Sequence, residues 1–399
     1  MTDKHAILVC TVGGSHQPIL TALRARKWDR VVFVCTPGAG GSAAMVEQAV
    51  GTFSPIPVLA GLDPGGWEVV TVPPDEPDAA FAVLVEKLRA LARYVPGAEI
   101  VADFTGGTKS MSAALTLAAL DAGVALQLVS GERADLVRVR DRTEQAIAIR
   151  TKRIAGAREF ERLAAGWSRH AYQEAAEGFA QLWSDLKTEG LSREDLRPLT
   201  RAKELSQAFA AWDSFDHKGA FGCLRNNRYD GMTIGGRSDW RDLAAALVRE
   251  QSASWTALHL RDLWRNAQRC AARGRYDDAV ARLYRLWEGI AQWLLWADFQ
   301  LDTAVVETGL KRSWELYRHL RPGGEAASFW GREWTRLDEK LRIRNYSILA
   351  HGGDRVSRDG WKTLSQWTET GLLEVLACEA ERLGEPHAVP QLPTELPAL

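Results

Sequence analysis

The chain has 399 residues, a formal net charge of −1 and charged side chains at a quarter of its positions (25%), which excludes a global basic field and leaves any nucleic-acid contact to a local patch. Two or three domains with ample core are expected at this length. The five cysteines (Cys10, Cys35, Cys223, Cys270 and Cys378) are scattered without paired ligand spacing, which excludes a disulfide framework or zinc ribbon, and their odd count without a secretory leader fits a reducing cytoplasm.

Residues 1 to 150 alternate strand and helix signals. Runs suited to buried strands begin at His5 and Arg30, a third covers Glu68 to Val72, and others cover 99–103 and 124–130. Helices are expected from about Gln17, after the glycine-rich turn at 38–44, over 78–94, and from Met111 to Ala122. A charged pair of edge-like strands is possible near 135–150. This order predicts an α/β Rossmann-like domain with a parallel, doubly wound sheet. Met111 to Gly131 is the most apolar stretch, but Asp121 and Gly123 split it into a helix and a strand, so no membrane span is expected.

Beyond about residue 151 strand runs vanish, tryptophan becomes frequent and the spacing turns helical, as in Ala171 to Lys187 and Asp277 to Trp296. An all-α region is expected: a helical linker over 151–250 and a second helical domain over 251–384. Gly219 to Gly236 reads as a loop-rich break. The tail over 385–399, with four prolines, is expected to be poorly ordered. Most of the sixteen tryptophans sit at helical core spacing and are expected to pack rather than stack on bases.

Two glycine loops follow strands. Thr11-Val12-Gly13-Gly14-Ser15 leads to Gln17, and Asp103-Phe104-Thr105-Gly106-Gly107-Thr108-Lys109-Ser110 leads into a helix. Glycine lets backbone approach a ligand, and a helix start offers unpaired N–H groups to an anion. Neither loop is a Walker A or G-x-G-x-x-G motif: Thr108 precedes Lys109, and the first loop lacks the third glycine. Two ordinary strand–helix turns are the alternative. The polar Thr11, Ser15 and Gln17 beside the hydroxyls and cation of the second loop favour a phosphate or nucleotide cradle at the carboxyl ends of the strands.

The second constellation is Arg344-Asn345-Tyr346-Ser347-Ile348-Leu349-Ala350-His351. On a helix Arg344 and His351 lie within roughly 20° of one face and roughly 10 Å apart along the axis. Arg332, Arg336 and Lys340 continue the row in steps of four. A solvated basic face ending at Gly352-Gly353 is one reading. Metal-free RNA cleavage is the other, because imidazole moves protons near neutral pH and guanidinium holds phosphorane charge. A twofold dimer would bring two such rows together. Glu288 could orient Arg344. Asp277-Asp278 reads as a helix start, and His170, His217, His259 and His319 lack paired ligands, so no metal is expected.

With both constellations in hand, the chain resembles the CRISPR-associated CARF–HEPN proteins of type III immunity systems. The glycine loops resemble the two ligand loops of CARF domains. Arg344-Asn345 with His351 resembles the R-x(4–6)-H motif of HEPN ribonucleases, and the helix at 273–296 resembles the one that packs beside it. The resemblance implies a cytoplasmic homodimer without cofactor that binds one cyclic oligoadenylate, tetra- rather than hexa-adenylate, at Thr11, Gly13, Gly14, Ser15, Gln17, Thr105, Gly106, Gly107, Thr108, Lys109 and Ser110. It further implies metal-independent cutting of single-stranded RNA at Arg344, His351 and Asn345, leaving a 2′,3′-cyclic phosphate. Two alternatives keep the architecture: a ring nuclease that also cuts its activator through Lys109 and Thr11, and a non-catalytic nucleotide-sensing dimer scaffold. A nucleotide-sensing stress nuclease outside CRISPR is a further possibility.

Overall fold

A computed structural model of the chain describes residues 5–38, 40–49, 54–130, 133–135, 138–139, 145–149, 152–225, 232–249, 255–303, 309–333 and 353–399. It divides into two compact units, Met1–Ala157 and Arg158–Leu399.

In the first unit β-branched runs are buried on both faces. β1 (Ala6–Thr11) is buried throughout and β2 (Arg30–Cys35) at every residue but Arg30. β3 (Trp67–Thr71), β4 (Glu99–Asp103), β5 (Ala125–Ser130) and β8 (Gln145–Ile149) complete a six-stranded sheet of order β3-β2-β1-β4-β5-β8, while β6 (Arg133–Asp135) and β7 (Arg138–Val139) form a separate pair. Strand alternation divides β1 between two cores. Ile7 and Val9 meet α4 (Pro77–Tyr94) and α5 (Lys109–Asp121) through Leu84, Leu88, Met111 and Leu115. Leu8 and Cys10 meet α1 (Gln17–Arg24) through Ile19, Leu20 and Leu23. Two short helices, α2 (Ala44–Glu47) and α3 (Ile56–Ala60), flank that second face.

The Rossmann-like reading is borne out with one difference. β8 runs antiparallel to β5, pairing Leu126 with Ile149 and Ser130 with Gln145. Between β5 and β8 the described residues hold only the strands β6 and β7, and a return without a crossover helix makes an antiparallel neighbour. Along the sheet, β1 has β2 on one side and β4 on the other, both parallel to it. The strand order therefore reverses at β1/β4, and the loops after Thr11 and Asp103 flank that switch point.

The second unit is helical among its described residues. α6 (Lys152–Ala165) spans the boundary in sequence, followed by α7 (Tyr172–Thr188), α8 (Arg197–Asp213), α9 (His217–Leu224), α10 (Trp240–Arg249), α11 (Ala257–Ala272), α12 (Tyr276–Phe299) and α13 (Leu310–Leu320). Residues 325–333 are helical. α14 (Arg358–Trp367) and α15 (Leu373–Leu383) are joined through a π-helical turn at Thr368–Leu372. One core gathers Trp167, Phe179, Phe209 and Trp212 around α7, α8 and α10. Another gathers Trp264, Trp287, Trp293 and Trp314 around α11, α12 and α13. The packing role expected for tryptophan holds for these six, each buried to 2% exposure or less.

Two expectations for this half are corrected, the first in part and the second wholly. The break expected at Gly219 to Gly236 starts later than its glycines suggest: residues up to Leu224 belong to α9, which Asp216 caps by accepting from the Gly219 N–H at 2.8 Å, while 232–236 lie outside any helix, as expected. The proline-rich tail is tied down rather than loose. Glu385 accepts from the Ala257 N–H at 3.1 Å and from Trp293 Nε1 at 3.0 Å. Arg265 Nε donates to Val389 O at 3.0 Å, Arg269 donates to Gln391 Oε1 at 2.8 Å, and the Tyr172 hydroxyl donates to Pro393 O at 2.6 Å. Val389 and Leu392 are buried in the α7–α10 core. Proline raises no obstacle, since its missing N–H is not needed in a segment held through carbonyls.

Deleting residues 386–399 removes two buried apolar side chains, Val389 and Leu392, worth roughly 1.5–3 kcal/mol each. The expected result is about 4 kcal/mol of lost stability in urea unfolding. An unchanged midpoint would mean that the tail adds nothing to this core.

Candidate ligand site at the sheet switch point

The two glycine loops lie against one another. The Thr11 hydroxyl is fully buried and donates to Gly106 O at 2.7 Å, linking the end of β1 to the loop after β4. A Cβ on Gly106 would stand 2.2 Å from Thr11 O, and one on Gly13 would stand 2.7 Å from the Gly107 N. Gly107 has φ +78°, a left-handed conformation that favours glycine. These glycines are required by the approach of one backbone to the other. Gly14, by contrast, has nothing within 4 Å of its Cβ direction and faces open space.

The second loop is rigidly built. Asp103 Oδ1 accepts from the Thr105 N–H at 2.9 Å, and its Oδ2 accepts from Gln127 Nε2 at 3.0 Å. Burial pushes the Asp103 carboxyl above its ordinary value, against the pull of the bonds from Thr105 and Gln127. The Thr105 hydroxyl accepts from the Val129 N–H at 2.7 Å. Thr108 is the N-cap of α5: its hydroxyl accepts from the Met111 N–H at 3.2 Å and donates to Pro74 O at 2.5 Å. The first turn of α5 holds no acidic residue, so its free N–H groups and the exposed Lys109 suit an anion.

Beside the loops opens a cavity of about 410 Å³. Val12, Gly13 and Gly14 form one wall, Gly107 and Thr108 a second, and Thr36, Gly40, Gly41, Ser42 and Met45 a third. The third wall was missed in the sequence reading, which treated 38–44 only as a turn. Its signal was the same as in the first loop: glycine and hydroxyl residues directly after a buried strand. Reciprocal bonds close it, with the Thr36 N–H donating to Ser42 Oγ at 2.9 Å and the Ser42 N–H to Thr36 Oγ1 at 2.8 Å.

Solved structures share the overall fold. Csm6 of Enterococcus italicus bound to cyclic hexa-2′-fluoro-hexa-dAMP matches at a TM-score of 0.56 and 13% identity, covering 94% of this chain and 95% of that one. Residues 249–308 match the family described as the Csm6 HEPN domain. The chain shares the fold of that Csm6. Can2 from Sulfobacillus thermosulfidooxidans in complex with cyclic tetra-adenylate matches at a TM-score of only 0.26, with 14% identity over 56% of this chain and 66% of that one, and carries no argument. No curated protein matches the chain.

Within the first unit, Gly14, Ser15, Gln17 and Lys109 are exposed and Gly13, Ser110, Thr105, Gly106, Gly107 and Thr108 half-buried, while Thr11 is enclosed. The hydroxyls of Thr11, Thr105 and Thr108 are engaged in holding the loops. Ser15, Gln17, Lys109, Ser110 and the N–H groups at the start of α5 remain as candidates to face a ligand.

In the second unit, the match to the Csm6 HEPN domain over 249–308 spans α11 and α12. Arg344, Asn345 and His351 lie outside the described residues. Glu288, offered above as a partner for Arg344, pairs with Arg285 at 2.9 Å. The histidines are engaged individually: His217 with Asp262 at 2.9 Å, His170 with the Tyr172 hydroxyl at 2.9 Å, and His259 with Thr256 at 2.9 Å. Among the described residues no cluster of three His, Cys, Asp or Glu could hold a metal, and no helix is long and apolar enough to cross a membrane.

Proposed function

We propose that this chain is a ribonuclease of type III CRISPR defence, switched on when its CARF loops bind a cyclic oligoadenylate. The observation that carries this reading is the anion-suited cavity at the β1/β4 switch point in a chain whose helical half matches the Csm6 HEPN domain. Phosphates of the ligand would meet the start of α5 and Lys109, and the glycine-rich loop at 36–45 would border its sugars and bases. A ring with rotational symmetry suits a homodimer, each protomer presenting one cavity. The ligand acts by favouring the dimer geometry in which the HEPN cleft is competent.

The cleavage chemistry follows from the residue types at Arg344 and His351. His351 takes the proton of a ribose 2′-hydroxyl, or delivers one to the departing oxygen. The 2′-oxygen bonds to the adjacent phosphorus, the bond from phosphorus to the 5′-oxygen breaks, and that oxygen leaves protonated. The products are a 2′,3′-cyclic phosphate and a 5′-hydroxyl. Arg344 holds the charge that develops on the phosphorane oxygens, and Asn345 positions substrate. All the bond changes are met by proton transfer and charge stabilisation, so the reaction is proposed to run without metal.

A secondary ring-nuclease role in the CARF site finds less support, since the Thr11 hydroxyl it would use is buried and bonded to Gly106 O. The test incubates purified protein with labelled single-stranded RNA and EDTA, adding cyclic tetra-adenylate, cyclic hexa-adenylate or neither. Cutting with at least one ring and none without it is expected, with cyclic phosphate ends. Equal cutting in the ligand-free tube would overturn the switch. No cutting in any tube would leave the dimer scaffold as the reading to keep.

A further inference from the structure

The carbonyl of Gly106 accepts two side-chain hydroxyls at once. Thr11 Oγ1, at the end of β1, donates to it at 2.7 Å, and Ser112 Oγ, in the first turn of α5, donates at 2.9 Å. Asp103 O stands 3.4 Å from the same Thr11 hydroxyl, so the Gly106 carbonyl is its principal acceptor. Thr11 is fully buried and Ser112 half-buried. One peptide oxygen is thus clamped between a strand and a helix.

The clamp fixes a peptide that its own residues would leave free. Turning the peptide between Gly106 and Gly107 changes the ψ of the first and the φ of the second, and at glycine neither rotation meets a Cβ. In a trans peptide the C=O and the N–H point in opposite directions. With the Gly106 carbonyl held by Thr11 and Ser112, the Gly107 N–H is turned away from them, and no acceptor meets it among the described residues. Gly107 lines the cavity together with Gly13 and Gly14. The flipped peptide would present its oxygen there instead, and an anion would meet a partial negative charge where it now meets a donor.

We infer that Thr11 and Ser112 are positioning residues for the activator: their hydroxyls hold the Gly106–Gly107 peptide with its N–H toward a phosphate oxygen of the cyclic oligoadenylate. The inference rests on the ligand reading of this cavity. It assigns Thr11 a role behind the ligand rather than against it, and it adds Ser112 to the site.

Binding of cyclic tetra-adenylate and cyclic hexa-adenylate to the full chain is measured by titration calorimetry. Thr11→Val keeps the methyl group and loses the hydroxyl, whereas Thr11→Ser keeps the hydroxyl and loses the methyl. Removing one donor, by Thr11→Val or by Ser112→Ala, is expected to weaken binding about threefold, the scale of one hydrogen bond. Removing both frees the peptide, so the double variant is expected to bind at least about thirtyfold more weakly, beyond the product of the single losses. Thr11→Ser keeps the donor and is expected to bind within about twofold of wild type. Ser112→Ala raises helix propensity in α5, so its loss of affinity is not a loss of fold. A role in packing alone predicts the opposite order at position 11, with the serine variant the weaker binder. That order overturns the inference, and so does wild-type affinity in the double variant. Wild-type protein that binds neither ring overturns the ligand reading itself, and the inference with it.

Discussion

A Gly106→Val protein is expected to lose cyclic-oligoadenylate binding by at least about 100-fold, on the reading that these loops hold the ligand. A Cβ at this position meets Thr11 O at 2.2 Å, Thr11 C at 3.2 Å and the Gly13 N at 3.3 Å. All three are backbone atoms, so no side chain can swing aside and the loops must part. Parting them breaks the bond from the Thr11 hydroxyl to Gly106 O and moves both Gly13 and the cap of α5, which border the cavity. Overpacking of this kind costs about 1–3 kcal/mol where backbone must shift, and a factor of 100 in affinity corresponds to about 2.7 kcal/mol. Titration calorimetry with the cyclic tetra- and hexa-adenylates reads the effect, and wild-type affinity for the activating ring would sink the assignment. Gly14→Ala is the companion variant: its added methyl meets no protein atom, so any loss of affinity there reports the ligand itself.

The contrast between these glycines shows what the sequence could and could not carry. A glycine pair after a buried strand marks a place where something comes close, and that much was legible at 13–14 and 106–107. What comes close to Gly13 and Gly106 is the opposite loop, because the parallel register of β1 and β4, Cys10 against Asp103, brings the two strand ends level. Register is a long-range property that one loop's residues cannot announce. The third wall at 36–45 carried the same local signal, but only the pairing of β2 beside β1 brings it against the other two loops.

Local signals also misled where tertiary burial outweighed them. Prolines at 386, 390, 393 and 397 suggested a loose tail, yet Val389 and Leu392 find a core and the flanking carbonyls find Arg265 and Tyr172. The break read at Gly219 to Gly236 begins only after Leu224, because the Asp216 cap and the burial of Ala220 and Leu224 sustain a helix through its first residues. In each case a few apolar residues between the breakers decided the outcome. The fold class needed only periodicity and element order, which average over many positions. For that reason it was read correctly from sequence.

Replacing Arg344 or His351 by Ala is expected to lower activator-dependent RNA cleavage by about 10³-fold or more, since proton transfer and charge stabilisation each contribute on that scale. Activator affinity is expected to stay at the wild-type level, which separates lost chemistry from a misfolded protein. A mixture of the two variants carries the argument further. Arg344→Ala homodimers hold two histidines and no arginine, and His351→Ala homodimers hold the reverse. A mixed dimer holds one of each, on different protomers. If the cleft is built across the twofold axis, activator-dependent cleavage reappears once subunits have exchanged, above the rate of either parent. If each protomer cuts alone, the mixture stays as inactive as its components, and the composite cleft must be abandoned. Retained cleavage in both single variants would remove the HEPN assignment altogether.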